Sequence, residues 1–181
     1  HEALAAGAAG VQVGTAFAFC EESGIQPDLK QQVIQLSREG KARVFTDPLA
    51  SPTGFPFKVV QLPGTLSDPA ANQPRTRLCD LGYLRHAYRK QDGTLGYRCP
   101  AEPVEDFVRK GGTSKETEGR ECVCNGLVST IGLPQVRPDH TMDLPLITAG
   151  NDVAYIASYL QPGRDSYSAA EVIRLLLNKA G

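Results

Sequence analysis

The stretch "ALAAGAAGVQVGTAFAF", residues 3–19, decides which fold the sequence predicts. Small residues lead into a short apolar run, Val11–Val13, which is typical of a buried parallel strand, and Gly14 and Thr15 end it. A glycine at the carboxyl end of such a strand lets backbone N–H groups approach an anion closely, and a threonine hydroxyl adds a donor. In (β/α)8 barrels the loops after the last two strands are the usual phosphate site. We therefore predict the final strand–helix unit of such a barrel.

The length of the chain limits how much of a barrel it can contain. A complete (β/α)8 barrel needs roughly 200 to 250 residues, whereas this chain has 181 and places the final unit near residue 11. We predict an α/β chain that holds the carboxyl-terminal portion of a barrel, its last strand and helix, plus a mixed, loop-rich α+β extension. The predicted domains are the barrel end at 1–40, an irregular Cys-, Pro- and Gly-rich extension at 41–145, and a helical segment at 146–181 that packs back on the barrel.

The rest of the pattern predicts short elements separated by turns, because prolines and glycines recur along most of the chain. Ser168 and Glu171 have the spacing of a capping box at the start of a helix. The predicted elements are a helix at Asp28–Glu39, a strand at Lys58–Leu62, a turn at Asp92-Gly93, a helix at Glu102–Lys110, an irregular stretch at Gly119–Leu133, and two helices that begin at Asp152 and after Ser168.

Charge and composition argue against several classes of partner. The net charge is −1, from 19 basic and 20 acidic residues, so we expect neither nucleic acid nor a membrane surface as a partner. No apolar run approaches the roughly 20 residues of a membrane span. Five cysteines, an odd number, favour a reducing compartment, and we predict a cytoplasmic protein.

The middle of the chain is locally basic. We interpret its arginines as a solvated face that nearby acidic residues balance, in preference to a contact surface for a partner domain or an anionic acyl carrier. Three tyrosines alternate with the arginines, a pattern that also occurs in single-stranded nucleic-acid binding, but the net charge disfavours that interpretation. The arginines are Arg75, Arg77, Arg85, Arg89 and Arg98.

Several motifs together resemble the nitronate monooxygenase family, formerly called 2-nitropropane dioxygenases. They are "GAAGVQVGTAF" at 7–17, "CDLGYLR" at 79–85 and "YRCPAEPVEDFVRKGG" at 97–112. The resemblance covers nearly the whole chain but only the carboxyl-terminal part of the family's fold. It implies an FMN-dependent monooxygenase that oxidises alkyl nitronates with O2. It also implies that the turn Gln12, Val13, Gly14 and Thr15 wraps the phosphate of FMN.

The resemblance places the catalytic histidine of the family upstream of this chain. His86 and His140 lie in the extension, so neither is assigned as the base, and we expect little activity from the chain alone. The expected partners are a small-molecule substrate and a second copy of the chain that covers open barrel edges. Two alternatives stay open: an FMN-dependent enoyl reductase of the same superfamily, and a non-catalytic structural or partner-binding module stapled by its cysteines.

Four of the cysteines, Cys79, Cys99, Cys122 and Cys124, lie within 46 residues, each near glycine, proline or turn residues. Four thiolates could surround a zinc ion and hold irregular chain together. The spacing contains no C-x-x-C pair, and small buried thiols or iron–sulfur ligands are the alternatives. Cys20 is predicted to be a core residue.

The turn Thr53-Gly54-Phe55-Pro56-Phe57 has two interpretations. The resemblance places a similar Thr-Gly turn beside the barrel, where it would line a substrate pocket. A packed turn anchored by its two aromatic rings explains the same residues equally well. Asp47 and Asp80 have no carboxylate partner at a useful spacing, so the sequence assigns neither an acid–base role.

Overall fold

The computed structural model describes residues 2–137 and 139–178. The chain divides into two compact units, of which the first combines His1–Val44 with Ala149–Gly181 and the second is Phe45–Thr148. Along the chain, the second unit is therefore an insertion between the two parts of the first. None of the described helices is long and apolar enough to cross a membrane.

The regular elements are short. The strands of the described residues form two two-stranded sheets, β1 with β2 and β3 with β4, and the (β/α)8 barrel stays a prediction. The described residues also form 3-10 helices at Ser114–Thr117 and Asn151–Tyr159. The other elements are α1 (Glu2–Ala5), α2 (Thr15–Ala18), α3 (Pro27–Arg38), β1 (Val44–Asp47), β2 (Phe57–Val60), α4 (Pro69–Asn72), β3 (His86–Arg89), β4 (Leu95–Arg98), α5 (Val104–Arg109), α6 (Val123–Thr130) and α7 (Ala169–Asn178).

Helix α3 confirms the helix predicted at Asp28–Glu39. Pro27 occupies its first turn, where the missing N–H costs nothing, and Gly40 follows its end with φ of 66°. The helix packs against the 3-10 helix Asn151–Tyr159, which replaces the α-helix predicted from Asp152. Ser37 joins the two, because its hydroxyl donates to the carbonyl of Ala154 and accepts from the N–H of Ala157, at 2.9 and 3.1 Å.

The strand predicted at Val11–Val13 is wrong for the described structure. These residues have no regular secondary structure, and the Val11 side chain is 60% exposed. A buried strand needs a neighbouring strand to accept and donate its backbone hydrogen bonds. No strand pairs with Val11–Val13 among the residues that the structure describes, so the apolar pattern alone does not produce one.

The first unit closes around Tyr167, which has no exposed surface. Its hydroxyl donates to the carbonyl of Ala16 at 2.8 Å, and its ring lies 5.4 Å from that of Tyr159. Burial raises the pKa of the Tyr167 phenol, so it remains a donor. The predicted capping box begins at the residue after Tyr167. The carboxylate of Glu171 accepts from the N–H of Ser168, and the Ser168 hydroxyl accepts from the N–H of Glu171. This confirms the capping box at the start of α7.

In the second unit, helix α6 occupies most of the stretch that was predicted to be irregular. A side chain at Gly126 would place its Cβ 2.6 Å from the Cβ of Leu146 and 2.8 Å from a methyl of Leu66. Glycine thus brings the helix backbone into contact with the core, and the N–H of Leu146 donates to the carbonyl of Gly126. The prediction of an irregular stretch rested on its high glycine content, whereas the close packing of the helix requires glycine at position 126. The buried cluster consists of Ala50, Val59, Leu66, Val123 and Leu146.

The hairpin of β3 and β4 confirms the predicted turn at Asp92-Gly93, where the Asp92 carboxylate accepts from the N–H and the hydroxyl of Thr94. Helix α5 confirms the helix predicted at Glu102–Lys110. Phe107 is buried and contacts the guanidinium of Arg98. Val108, the next residue along the helix, is exposed.

A buried ion network crosses the second unit at Asp143, whose carboxylate has no exposed surface. One oxygen pairs with Arg75 at 3.2 Å and Arg137 at 2.8 Å, and the other accepts from the amide of Asn125 at 2.6 Å. The interpretation of the arginines as a solvated face is therefore wrong for Arg75, which is 8% exposed at its side chain. Its carboxylate partner lies 68 residues further along the chain.

We predict that Tyr167→Phe lowers the free energy of unfolding by about 1 to 2 kcal/mol, because the variant keeps the ring but leaves the Ala16 carbonyl without this buried donor. Urea unfolding followed by circular dichroism measures the change. Tyr155→Phe is the matched control, since that side chain is 73% exposed. Equal stabilities of the two variants would contradict the role of the hydroxyl.

We also predict that Asp143→Ala destabilises the chain by about 3 to 5 kcal/mol, because two buried guanidinium groups lose their counter-charge. Asp106→Ala removes an exposed ion pair with Arg109 and should cost less than about 1 kcal/mol. The same urea experiment compares the two. A loss at Asp143 no larger than that at Asp106 would show that the network does not stabilise the unit.

Candidate functional site

The turn predicted to bind phosphate leads directly into α2. Gly14 is the N-cap residue of that helix and is exposed, and a Cβ added to it would meet no atom within 4 Å. The first N–H groups of a helix have no acceptor within the helix. Within residues 2–137 and 139–178, the N–H groups of Gly14, Thr15 and Ala16 donate to no acceptor. Three backbone donors without an acceptor thus lie at the point where the sequence places the anion, one on the exposed Gly14 and two on the buried residues Thr15 and Ala16.

The hydroxyl of Thr15 has a different role from the predicted one. It donates to Oδ1 of Asp152 at 2.7 Å and accepts from the N–H of Gly150 at 2.9 Å. Gly150 permits this contact, because a Cβ there would collide with the Asp152 carboxylate. The hydroxyl therefore fastens the turn to the start of the 3-10 helix Asn151–Tyr159, and its proton is committed to Asp152. Gln12 is exposed and Val13 half-buried beside it.

The described residues give no catalytic base in this turn. His86 lies in β3, His140 itself has a φ of 66°, and both residues are exposed. At the turn Thr53–Phe57, the rings of Phe55 and Phe57 pack edge to face at 5.1 Å between centroids. Phe57 also packs against the core cluster while Phe55 is 60% exposed, so one ring anchors the turn and the other is accessible.

The four clustered cysteines meet at a single small cavity of about 10 Å³ in the second unit. Cys79 lies in the loop before β3, and Cys99 directly follows β4. Cys122 is the N-cap residue of α6 and Cys124 lies in its first turn. All four are free thiols. As they are placed, no three Cys, His, Asp or Glu side chains among the described residues form a group that could hold a metal ion.

Burial controls the chemistry of two of these thiols. It raises the pKa of Cys99 to about 11 and that of Cys122 to about 12, since a thiolate loses its hydration there. Cys79 and Cys124 are half-buried. The fifth cysteine, Cys20, is buried in the first unit, where its thiol contacts the carbonyl of Phe17, and this confirms the prediction of a core residue.

Asn125 holds the start of α6 in position beside the cysteines. Its amide nitrogen donates to Oδ2 of Asp80 at 3.2 Å and to Oδ2 of Asp143 at 2.6 Å. Because Asp80 is adjacent to Cys79 and Asn125 is adjacent to Cys124, these bonds tie two of the cysteine-bearing segments together. The role of Asp80 is therefore structural, and its partner lies 45 residues away in the sequence.

A larger cavity of about 460 Å³ in the second unit was not predicted from the sequence. Glu121 is 8% exposed, and its Oε2 has no hydrogen-bond partner among the described residues. Burial, and then the nearby carboxylate of Asp47, raise the pKa of Glu121 to about 7, against an opposing effect of Arg75. The residues that line the cavity include Phe45, Asp47, Arg75, Arg77, Arg120 and Glu121.

The carboxyl of Glu121 therefore gives this cavity a group that can exchange a proton near neutral pH. The neighbouring guanidinium groups are held by backbone carbonyls: Arg77 donates to Thr117 at 2.9 Å, and Arg120 donates to Leu49 at 3.1 Å. No local pattern in the sequence indicates this cavity, because Asp47 and Glu121 are 74 positions apart and neither lies in a recognisable motif.

Comparison of the chain with protein-family models, with curated proteins and with solved structures finds no match. The candidate sites of the chain are therefore the turn at Gln12–Thr15 and the two cavities of the second unit.

We predict that Glu121 makes the chain less stable as pH rises. The folded carboxyl keeps its proton up to about pH 7, whereas the unfolded one loses it near 4.5, so the unfolding free energy falls between these values by at most about 3 kcal/mol. Glu121→Gln should abolish this fall, because the amide does not titrate. Urea unfolding at a series of pH values measures it.

The matched control for that experiment is Glu118→Gln, which changes an exposed carboxylate three residues away. This variant should keep the fall in stability seen with the original chain. If Glu121→Gln shows the same pH dependence as Glu118→Gln, the carboxyl of Glu121 is not the group responsible.

Proposed function

We propose that this chain is part of an FMN-dependent oxidoreductase resembling nitronate monooxygenase, with the turn Gln12–Thr15 as its phosphate site. The observation that carries the proposal is the set of backbone N–H groups at Gly14, Thr15 and Ala16 at the start of α2, which donate to no acceptor within the part of the chain that the structure describes. Backbone donors at a helix start can bind a phosphate without a fixed positive charge. The motif "GVQVGT" supplies the same assignment from the sequence.

Gly14 and Thr15 have distinct parts in this proposal. Gly14 leaves the approach to the backbone open, because no side chain covers it. The hydroxyl of Thr15 positions the turn through its hydrogen bonds to Asp152 and Gly150 and does not donate to the phosphate, whereas the backbone N–H of Thr15 does. When bound, FMN supplies the transfer of electrons from an alkyl nitronate to O2.

The enoyl reductase alternative uses the same phosphate turn with a different substrate. In that alternative, an enoyl thioester takes the place of the nitronate and a nicotinamide supplies the electrons. Steady-state rates with each substrate pair, measured on a protein that contains the complete flavin site, separate the two activities. Turnover of the enoyl thioester with NAD(P)H and none of the nitronate would favour the reductase.

We predict that FMN perturbs the backbone amide NMR signals of Gly14, Thr15 and Ala16, and that riboflavin, which lacks the phosphate, does not. The phosphate is the part of the molecule that these N–H groups recognise. Titration of the isotope-labelled chain with each compound measures the shifts. No shift with FMN at millimolar concentration, or equal shifts with both compounds, would contradict the proposal.

A charge variant sharpens this test. Gly14→Asp places a negative charge at the open turn, where nothing lies within 4 Å of the new Cβ, and should abolish the response to FMN. Ser158→Asp adds the same charge at an exposed position of the same unit and should leave the response intact. Loss of the response in both variants would indicate a general charge effect.

A further inference from the structure

All four cysteines of the second unit line the same cavity. They come from three separate segments, the loop before β3, the end of β4 and the start of α6, and span 46 residues of the sequence. The cavity volume of about 10 Å³ is close to that of one water-sized sphere. Ordinary core packing does not gather every thiol of a domain at one point, so the convergence itself needs an explanation.

The segments around the cavity contain little regular secondary structure. Its neighbouring elements are a four-residue strand on each side of the hairpin and the start of an eight-residue helix. A structural metal ion stabilises such a domain by linking segments that share little apolar surface. The ion would join three segments that the hydrogen bonds of Asn125 already bring together in part.

We propose that Cys79, Cys99, Cys122 and Cys124 bind one Zn²⁺ ion as four thiolates in a structural site. Binding releases four thiol protons, and each sulfur approaches the ion to about 2.3 Å. The thiols as placed do not form such a group, so they must close around the ion. The half-buried side chains of Cys79 and Cys124 have the most room to rotate.

A positively charged side chain, Arg85, lies at the same cavity as the four cysteines. A zinc ion with four thiolates carries a net charge of −2, which a domain interior must offset. Arg85 lines the cavity, and its guanidinium donates to the backbone carbonyl of Cys79 at 3.0 Å. An arginine in this position both orients the cysteine-bearing loop and balances part of the negative charge.

The first test measures metal content and coordination in the full chain. We expect about one zinc per chain by elemental mass spectrometry after dialysis. Added Co²⁺, which replaces zinc in such sites, should give the intense visible bands of a tetrahedral cobalt–thiolate complex. Absence of zinc together with absence of the cobalt bands would overturn the proposal, as would bound iron or a disulfide between any two of these cysteines.

Substitution identifies the ligands. Cys99→Ser and Cys124→Ser should each lower the zinc content and weaken the cobalt–thiolate bands, whereas the matched control Cys20→Ser should retain both, because Cys20 lies in the first unit. Where a ligand variant fails to fold, titration of the unmodified chain with chelator decides. Removal of the ion should expose four thiols to an alkylating reagent and lower the melting temperature. Unchanged thiol reactivity would contradict the site. None of these residues belongs to the flavin proposal, so either can fail alone.

Discussion

A carboxylate without exposed surface, that of Asp143, lies between two arginine side chains that are themselves almost completely buried. Removal of the carboxylate would leave both guanidinium groups without their counter-charge in a poorly solvated interior. The second carboxylate oxygen and the backbone carbonyl of the same residue bind Asn125 and Ser129 on helix α6. The position of α6 therefore depends on this network, and with it the positions of Cys122 and Cys124 at the start of the helix.

Local signals predicted those elements whose boundaries are set by neighbouring residues. Pro27 and Gly40 delimit α3, Asp92-Gly93 forms the hairpin turn, and the capping box of Ser168 precedes α7. Elements that depend on distant residues were not predictable. Helix α6 needs Gly126 because of Leu66 and Leu146, and the strand predicted at Val11–Val13 needs a neighbour that the pattern itself does not supply.

The candidate sites follow the same division. The four cysteines and the glycine of the phosphate turn were predicted from the sequence, because residue types and short spacings can be read from it directly. The sequence analysis assigned the Thr15 hydroxyl to the phosphate, because the sequence does not show that Asp152, 137 positions away, lies beside it. The proximity of the Asp47 and Glu121 carboxyl groups was missed for the same reason. The pKa of a buried carboxyl depends on the groups around it in the folded chain and not on its neighbours in sequence.

The insertion of the second unit into the first has a consequence for the order of events on the ribosome. Helices α2 and α3 are synthesised before their packing partners, the 3-10 helix Asn151–Tyr159 and Tyr167, which emerge more than a hundred residues later. The inserted unit is contiguous and can acquire all of its contacts first. Until then α2 and α3 lack these packing partners, and chaperones that shield nascent apolar segments would act on the two helices during that interval.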